Sequence, residues 1–338
     1  MLGLALASVL ASASCGGASS PVPLPDGSPT APGPATGAGT PANTWTVSGQ
    51  IADTGGQQAI PGAQVAPSWD LAGVSTAADG SYVLGAAANP PTNPFKLTVS
   101  APGYVSHEVW VNWQRGVRSE VSLDAIRMGA PFSMDFYRQF VRGTYDQPDA
   151  PWPVLRVEAA PRFYLRTTDQ NGRAIEPEVL AVVRDALERA VPAFTGGRMS
   201  VAALRTGPEA RAEADGWINV EIRRDPNERS TCGYAYIGAD PNTITLNSEV
   251  CACGSRKIPG QVVMHEVGHA LGFFHVSDTS SVMYPFVGRG CPSGDLSAAE
   301  RYHAAIAYAR PRGNTDPDND PSSGRRLNGS TVRILADR

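Results

Sequence analysis

Residues 265–275 read His-Glu-Val-Gly-His-Ala-Leu-Gly-Phe-Phe-His, so three of the chain's five histidines lie close together. On a helix, His265 and His269 are four residues apart, which projects both imidazoles from one face about 6 Å apart. That spacing suits two nitrogen ligands of one tetrahedral zinc ion. Gly272 allows the helix to end in a left-handed conformation. His275 is then predicted to return toward the helix as the third ligand.

Glu266 follows the first histidine and is the candidate catalytic residue. Three protein ligands leave a fourth zinc position for water, which is typical of a catalytic site rather than a structural one. Glu266 can reach such a water as a general base without itself binding the metal. The stretch therefore predicts one catalytic Zn2+ and a hydrolytic reaction.

The sequence HEVGHALGFFH is similar to the long zinc signature of the metzincin metalloproteases, and residues 281–285, Ser-Val-Met-Tyr-Pro, resemble their Met-turn. Met283 lies eight residues after His275, which is the separation of the matrixin branch. The resemblance implies an α+β zincin-like fold and a zinc endopeptidase with a protein or peptide substrate. It also implies that Met283 forms an apolar floor beneath the metal. The implied edge strand for an extended substrate comprises Thr243, Ile244, Thr245 and Leu246.

The chain upstream of this region has a different pattern. Residues 45–127 alternate apolar and polar side chains in short runs separated by Gly- and Pro-containing turns, which predicts a small β-sandwich. The runs V-S-G-Q-I, I-P-G-A-Q-V, D-G-S-Y and A-P-G-Y resemble the carboxypeptidase-regulatory-like, transthyretin-type domain. The predicted fold class is therefore multidomain, with a small β-sandwich followed by an α+β metzincin protease domain.

Composition divides the 338 residues further. Residues 16–44 are rich in Gly, Pro, Ser and Thr and predict a flexible tether, because such a segment buries too little apolar area to offset its ordering entropy. Residues 128–152 predict a connector that packs on the protease domain at 153–310. A helix is predicted over 176–191, ended by Pro192. Residues 311–338 predict a disordered tail. Its alternating acidic residues, Asp316, Asp318 and Asp320, are too weak a pattern to predict a structural Ca2+ site.

The first fifteen residues predict an export signal. The apolar run Leu2–Leu10 is too short to span a membrane and suits a signal peptide, residues 1–15. Cys15 follows four small residues and resembles the lipobox cysteine of bacterial lipoproteins, which implies membrane attachment through a lipid. The alternative is a plain secreted protein. Either reading places the protein outside the cytoplasm, in the cell envelope or in the medium.

Four further cysteines all fall in the predicted protease domain: Cys232, Cys251, Cys253 and Cys291. An even set in an exported protein predicts two disulfides. Cys251 and Cys253 are too close to pair with each other, so each is expected to bond Cys232 or Cys291. A structural zinc bound by all four cysteines is the competing interpretation.

A net charge of −4 argues against a nucleic-acid partner, because the chain carries no excess positive charge to release counterions. The main prediction is an exported zinc endopeptidase. The alternative from another class is a surface adhesion or binding module whose metalloprotease domain is inactive. The complete set of three histidines and Glu266 favours the enzyme.

Overall fold

The computed structural model describes residues 44–209, 216–228, 231–239, 242–251, 258–286, 294–320 and 332–333. The chain divides into two compact units, Met1–Gly39 and Thr40–Arg338, and all described residues belong to the second. The predictions for Cys15 and for almost all of the tether lie outside the described residues. None of the described helices combines the length and the apolar character needed to cross a membrane.

The first part of the chain forms two four-stranded sheets. One has the order β4-β1-β7 with β8 also paired to β1, and the other has the order β3-β2-β5-β6. The strands are β1 (Trp45–Asp53), β2 (Gln64–Pro67), β3 (Val74–Ser75), β4 (Ser81–Ala86), β5 (Phe95–Ser100), β6 (His107–Val111), β7 (Arg118–Glu120) and β8 (Leu123–Ala125).

A single hydrophobic cluster takes side chains from both of these sheets, including Trp45 on β1 and Phe95 on β5. On β5, alternate residues are buried, because successive side chains of a strand point to opposite faces. Gly80 makes the turn before β4 with φ +76°, and a Cβ there would lie 2.5 Å from the carbonyl oxygen of Ile51. The period-two pattern thus corresponds to real strands, while the limits 45–127 of a separate domain stay a prediction.

The second part of the chain combines helices with one main sheet. Its elements are α1 (Met134–Arg142), β9 (Arg162–Arg166), α2 (Pro177–Phe194), β10 (Ala203–Gly207), β11 (Ile218–Arg223), β12 (Gly233–Tyr234), β13 (Tyr236–Ile237), β14 (Thr243–Asn247), α3 (Gly260–Ala270), α4 (Ala298–Ala309) and β15 (Val332–Arg333). The main sheet has the order β10-β9-β11-β14-β12. Its first four strands are parallel, and β12 is antiparallel to β14.

Helix α2 is longer than the sequence predicted, because Pro192 lies inside it rather than ending it. The proline occupies the last turn, where Ala190, Val191 and Phe194 are buried in the main core. The Thr195 amide still donates to the Val191 carbonyl at 3.1 Å. Packing of this turn therefore outweighs the local cost of a proline.

The connector helix α1 belongs to the same core as the main sheet. The Ser133 hydroxyl accepts a hydrogen bond from the Phe136 amide at 3.3 Å, and Gly143 ends the helix in the left-handed region with φ +69°. Tyr137, Phe140 and other residues of α1 are buried in the large cluster that also contains α2 and α3. The expected packing of the connector on the following region is therefore present.

The prediction of disorder from residue 311 onward is wrong for residues 311–320. This segment runs beside β6, where the Glu108 amide donates to the Asp318 carbonyl and the Asp320 amide donates to the Glu108 carbonyl, both at 2.9 Å. Asn314 is fully buried. The polar residues that suggested disorder instead form hydrogen bonds where the segment packs beside β6. Composition alone does not reveal this role.

Polar contacts join the two parts through α4 and the residues around it. The buried Arg310 guanidinium donates to the carbonyls of Pro317 and Asp124 at 2.7 and 2.9 Å. The Tyr302 hydroxyl on α4 accepts from the Arg127 amide at 2.7 Å. The first β region is therefore attached to the helix that also supports the candidate site.

Candidate metal centre

Helix α3 carries the first two histidines and ends just after the second. His265 and His269 are 5% and 3% exposed, and His275, which follows the turn after the helix, is 3% exposed. Gly272 in that turn has φ +105°, and a Cβ there would lie 2.8 Å from the Leu155 carbonyl oxygen. Only glycine combines this backbone conformation with the close approach of the neighbouring chain.

The three imidazoles meet at their Nε2 atoms. The Nε2 of His269 lies 3.0 Å from that of His265 and 3.2 Å from that of His275. Among the His, Cys, Asp and Glu in the described part of the chain, these three residues form the one group of three or more that could hold a metal ion. The structure thus brings together the three histidines that the sequence singled out.

The Nδ1 atoms explain why the Nε2 atoms can bind metal. Each Nδ1 faces an oxygen that can only accept: Val282 O at 2.6 Å from His265, Phe273 O at 2.8 Å from His269, and Asp146 Oδ1 at 3.0 Å from His275. Each ring therefore carries its proton on Nδ1 and presents an Nε2 lone pair. Three lone pairs directed at one point repel each other unless a cation lies between them, so the donor set fits zinc.

Glu266 lies on the same helix and is fully buried. Gly233 of β12 faces it, and a Cβ at that position would lie 2.8 Å from Glu266 Oε1 and 2.8 Å from the Thr245 carbonyl oxygen. The glycine therefore leaves the space that the Glu266 carboxylate occupies. This arrangement places a buried carboxylate of α3 against the edge strand β12.

The predicted edge strand is wrong. Thr243, Ile244, Thr245 and Leu246 belong to β14, which pairs with β11 on one side and with β12 on the other. Among the described strands, β12 is the edge on this side of the sheet. Four consecutive buried residues in β14, Ile244 to Asn247, indicate an inner strand. The two-residue β12 has no alternation long enough for the sequence to reveal it.

Met283 packs directly under α3. It is fully buried, and a Cβ on Gly268 would lie 2.6 Å from its sulfur atom. The Val276 amide donates to the Met283 carbonyl at 3.0 Å, which joins the turn to the chain just after His275. The methionine thus packs against α3 at Gly268, the residue before His269.

Sequence reasoning missed Glu300, a buried carboxylate on α4. Its Oε1 accepts from the Ser281 hydroxyl at 2.5 Å and from the Val282 amide at 2.8 Å. Its Oε2 accepts from the Ser297 amide at 2.7 Å, which completes a capping box. The Ser-x-x-Glu spacing at 297–300 could have predicted the helix start. The bonds to the Met-turn depend on tertiary structure.

The acidic residues of the tail do not form a calcium site in the described part of the chain. Asp320 Oδ1 accepts from the Asn314 side-chain amide at 2.9 Å, and Asp320 Oδ2 lies 3.2 Å from His107 Nε2. Asp316 lies 4.0 Å from the Arg142 guanidinium. Asp316 and Asp320 thus contact separate protein partners.

One disulfide joins Cys232 to Cys251. It selects one of the two partners that the sequence left open for Cys251, and it argues against a zinc site made of all four cysteines, since disulfide sulfurs do not bind zinc as thiolates. Cys253 and Cys291 lie outside the described residues. Cys232 directly precedes β12, and its carbonyl accepts from the Asn247 amide at 2.7 Å, so the disulfide strengthens the attachment of the edge strand to β14.

A narrow cleft opens beside His265. Its walls are mostly apolar and include Cys232, Val262, Val282, Tyr284 and Pro285. The cleft lies between the disulfide and the Met-turn, next to the metal-binding face of α3.

The matrixin family model matches residues 256–301, which include all three histidines, Glu266, Met283 and Glu300. None of the curated proteins matches this chain. The match supports a zinc metalloprotease in general terms, and the three histidines are placed for its metal. It covers a small part of the chain.

Three solved structures are similar at low identity. A type II cohesin–X-module–dockerin complex from Acetivibrio cellulolyticus has 18% identity and a TM-score of 0.18, covering 23% of this chain and 51% of that one. A putative membrane-associated protein of unknown function from Bacteroides fragilis has 17% identity and a TM-score of 0.21, covering 45% of this chain and 44% of that one. Metalloproteinase-II from Bacteroides fragilis has 12% identity and a TM-score of 0.28, covering 77% of this chain and 84% of that one. The chain spans about half the length of the first two, and TM-scores this low do not establish a shared fold.

Proposed function

We propose that this protein is an exported, matrixin-like zinc endopeptidase that uses Glu266 as its general base. The observation that carries the proposal is the convergence of three buried Nε2 atoms, each freed for metal binding by an Nδ1 hydrogen bond. Glu266 is fully buried and lies on the same helix as His265 and His269. The matrixin match over 256–301 supports the same chemistry.

Three histidines of this chain would hold the zinc ion, and Glu266 would move the proton. The chemistry that zinc supplies when bound is Lewis acidity, which acidifies water and polarises a carbonyl group. The Glu266 carboxylate accepts a proton from the attacking water and then delivers it to the nitrogen of the leaving amine. Its burial excludes bulk water from this transfer.

We propose that the substrate binds as an extended chain along β12. Of the described strands, only β14 pairs with β12, and Gly233 of β12 adjoins the Glu266 carboxylate. Backbone hydrogen bonds to an edge strand would hold a peptide without regard to its sequence.

The rival function is a surface adhesion or binding module with an inactive protease domain. It predicts that no peptide bond is cleaved even when zinc is bound. The Nδ1 partner of each histidine and the burial of Glu266 support the enzyme over this rival.

Export rests on the signal-like residues 1–15 and is supported by the disulfide, since disulfides persist in oxidising compartments. Lipid attachment at Cys15 predicts that the wild-type protein fractionates with membranes and that Cys15→Ala appears in the soluble fraction. Equal fractionation of the two would contradict lipidation and leave secretion as the remaining route.

The test of the enzymatic function compares wild type with Glu266→Gln on a denatured protein substrate and on a broad peptide library. Both proteins should bind one zinc ion, and only the wild type should cleave. Glu178→Gln, an exposed glutamate on α2, serves as the control and should cleave as the wild type does. Cleavage by Glu266→Gln at the wild-type rate would refute the role of Glu266, and inert wild type with bound zinc would favour the binding module.

A further inference from the structure

The third histidine differs from the other two in what holds its ring. His265 and His269 donate from Nδ1 to backbone carbonyls, whereas His275 donates to the carboxylate of Asp146 at 3.0 Å. Asp146 lies 129 residues earlier in the chain, in the connector. It also lies outside residues 256–301, the part that matches the matrixin model.

Asp146 is held in place by the turn that ends α1. The Asp146 amide donates to the Gly143 carbonyl at 3.2 Å. Gly143 is left-handed with φ +69°, and a Cβ there would lie 2.6 Å from the ring of Phe274. The turn after α1 therefore packs directly against the residue that precedes His275.

Backbone and side-chain bonds hold the loop of His275 on the same helix. The Phe274 amide donates to the Phe140 carbonyl at 2.8 Å. On the other side of the histidine, the Ser277 amide and hydroxyl both donate to the Gln139 side-chain oxygen, at 2.8 and 3.0 Å. The position of His275 thus depends on α1 both before and after the histidine itself.

A carboxylate partner also changes the chemistry of the ring. A charged acceptor makes a stronger hydrogen bond than a neutral carbonyl, fixes the Nδ1–H tautomer and makes Nε2 a more basic ligand. The Asp146 side chain is 22% exposed and that of His275 is 4% exposed. The contact is therefore shielded from solvent mainly on the histidine side.

We propose that Asp146 is a positioning residue that orients the zinc ligand His275, and that the connector is thereby an integral part of the metal centre. This inference rests on the proposed zinc function. It follows that the matched segment 256–301 does not contain the whole metal-binding apparatus. Loss of such an outer partner typically costs about 10- to 100-fold in metal affinity.

The experiment measures the zinc dissociation constant of the full chain by competition with a chromophoric chelator. Asp146→Ala removes both the acceptor and the charge, and we expect about 10- to 100-fold weaker zinc binding. Asp146→Asn retains an acceptor oxygen without the charge and should fall between Asp146→Ala and wild type. Asp149→Asn, an exposed aspartate of the same connector, is the matched control and should bind zinc as wild type does.

Cobalt substitution gives a readout that a loss of general stability would not produce. The visible absorption of bound Co2+ should shift in Asp146→Ala, should return toward the wild-type spectrum in Asp146→Asn, and should be unchanged in Asp149→Asn. Wild-type zinc affinity and wild-type cobalt spectra in Asp146→Ala would overturn the role of Asp146 while leaving the zinc function intact. Failure of the wild type to bind zinc would overturn the proposed function itself.

Discussion

Two carboxylates support the histidine cluster from opposite parts of the chain, and they do so in different ways. Glu300 on α4 is fully buried and accepts bonds from Ser281, Val282 and Ser297. Asp146 in the connector is partly exposed and contacts the ring of His275 directly. Glu300 acts through the backbone, since the Val282 carbonyl in turn accepts from His265.

The difference separates stability from metal affinity. Removing Glu300 leaves several buried donors without an acceptor, which penalises the folded state whether or not zinc is bound. Removing Asp146 leaves a single imidazole N–H near solvent, which water can satisfy. We therefore expect Glu300 to determine mainly the folding stability and Asp146 to determine mainly the zinc affinity.

The largest effect is expected for Glu300→Ala. The free energy of unfolding of the zinc-free protein should fall by about 3 kcal/mol, because the hydroxyl and amides that Glu300 accepts from lose their partner. Glu300→Gln, which retains one acceptor oxygen, should lose about half as much. Urea denaturation followed by circular dichroism measures both.

Asp146→Ala provides the contrast in the same denaturation experiment. Its free energy of unfolding should stay within about 0.5 kcal/mol of wild type, as for an exposed position. Equal losses of unfolding free energy in Asp146→Ala and Glu300→Ala would contradict the distinction between the roles of Asp146 and Glu300.

A smaller effect tests the packing of the Met-turn. In Gly268→Ala the new Cβ would lie 2.6 Å from the Met283 sulfur and 2.9 Å from Phe194 Cζ, so one of these side chains must move. We expect a loss of about 1–3 kcal/mol, as for other overpacked cores. The control is Gly56→Ala, where the nearest atom would be 3.6 Å away. A neutral Gly268→Ala would show that Met283 does not press on α3.

The smallest effect concerns pH and the docking of α1 on α4. His303 Nδ1 lies 2.7 Å from the Ala299 carbonyl oxygen, and its Nε2 lies 2.9 Å from the Ser133 carbonyl oxygen and 3.0 Å from the Ser133 amide nitrogen. Burial lowers the pKa of His303 below its ordinary value of 6.5, against the raising effect of its backbone hydrogen bonds. The folded state then binds fewer protons than the unfolded state just below pH 6.5, so stability declines as the pH falls through this range.

The measurement is the melting temperature between pH 8 and pH 5 in wild type and His303→Gln. The wild type should lose stability as the pH falls below the pKa of His303 in the unfolded state. The variant should show a shallower decline. Burial lowers the pKa of His107 in the same direction, so part of the decline should remain in the variant. Identical slopes would contradict a neutral, buried His303.

Much of the site could be predicted because its information is local. The spacing of His265, His269 and His275 and the glycine at 272 describe a helix and the turn that follows it, and the structure has both. The alternation on β1 and β5 likewise reflects a single element and its own core face. Patterns of this kind involve residues that are close together in the sequence.

The features that were missed depend on contacts between distant segments. β12 is an edge strand only because β14 lies between it and β11, and its two residues carry no pattern. Residues 311–320 are ordered because Glu108 of β6 pairs with them, although their composition resembles a linker. Asp146 and Glu300 acquire roles only when the connector and α4 pack around the histidines.

The most direct test of the central claim is the zinc content of the purified full chain after dialysis against a weak chelator. We expect one zinc ion per chain for wild type and for the control His107→Gln, and a large loss of zinc for His275→Ala. Wild-type protein without zinc, or unchanged zinc in His275→Ala, would contradict the claim that these three histidines form a metal centre.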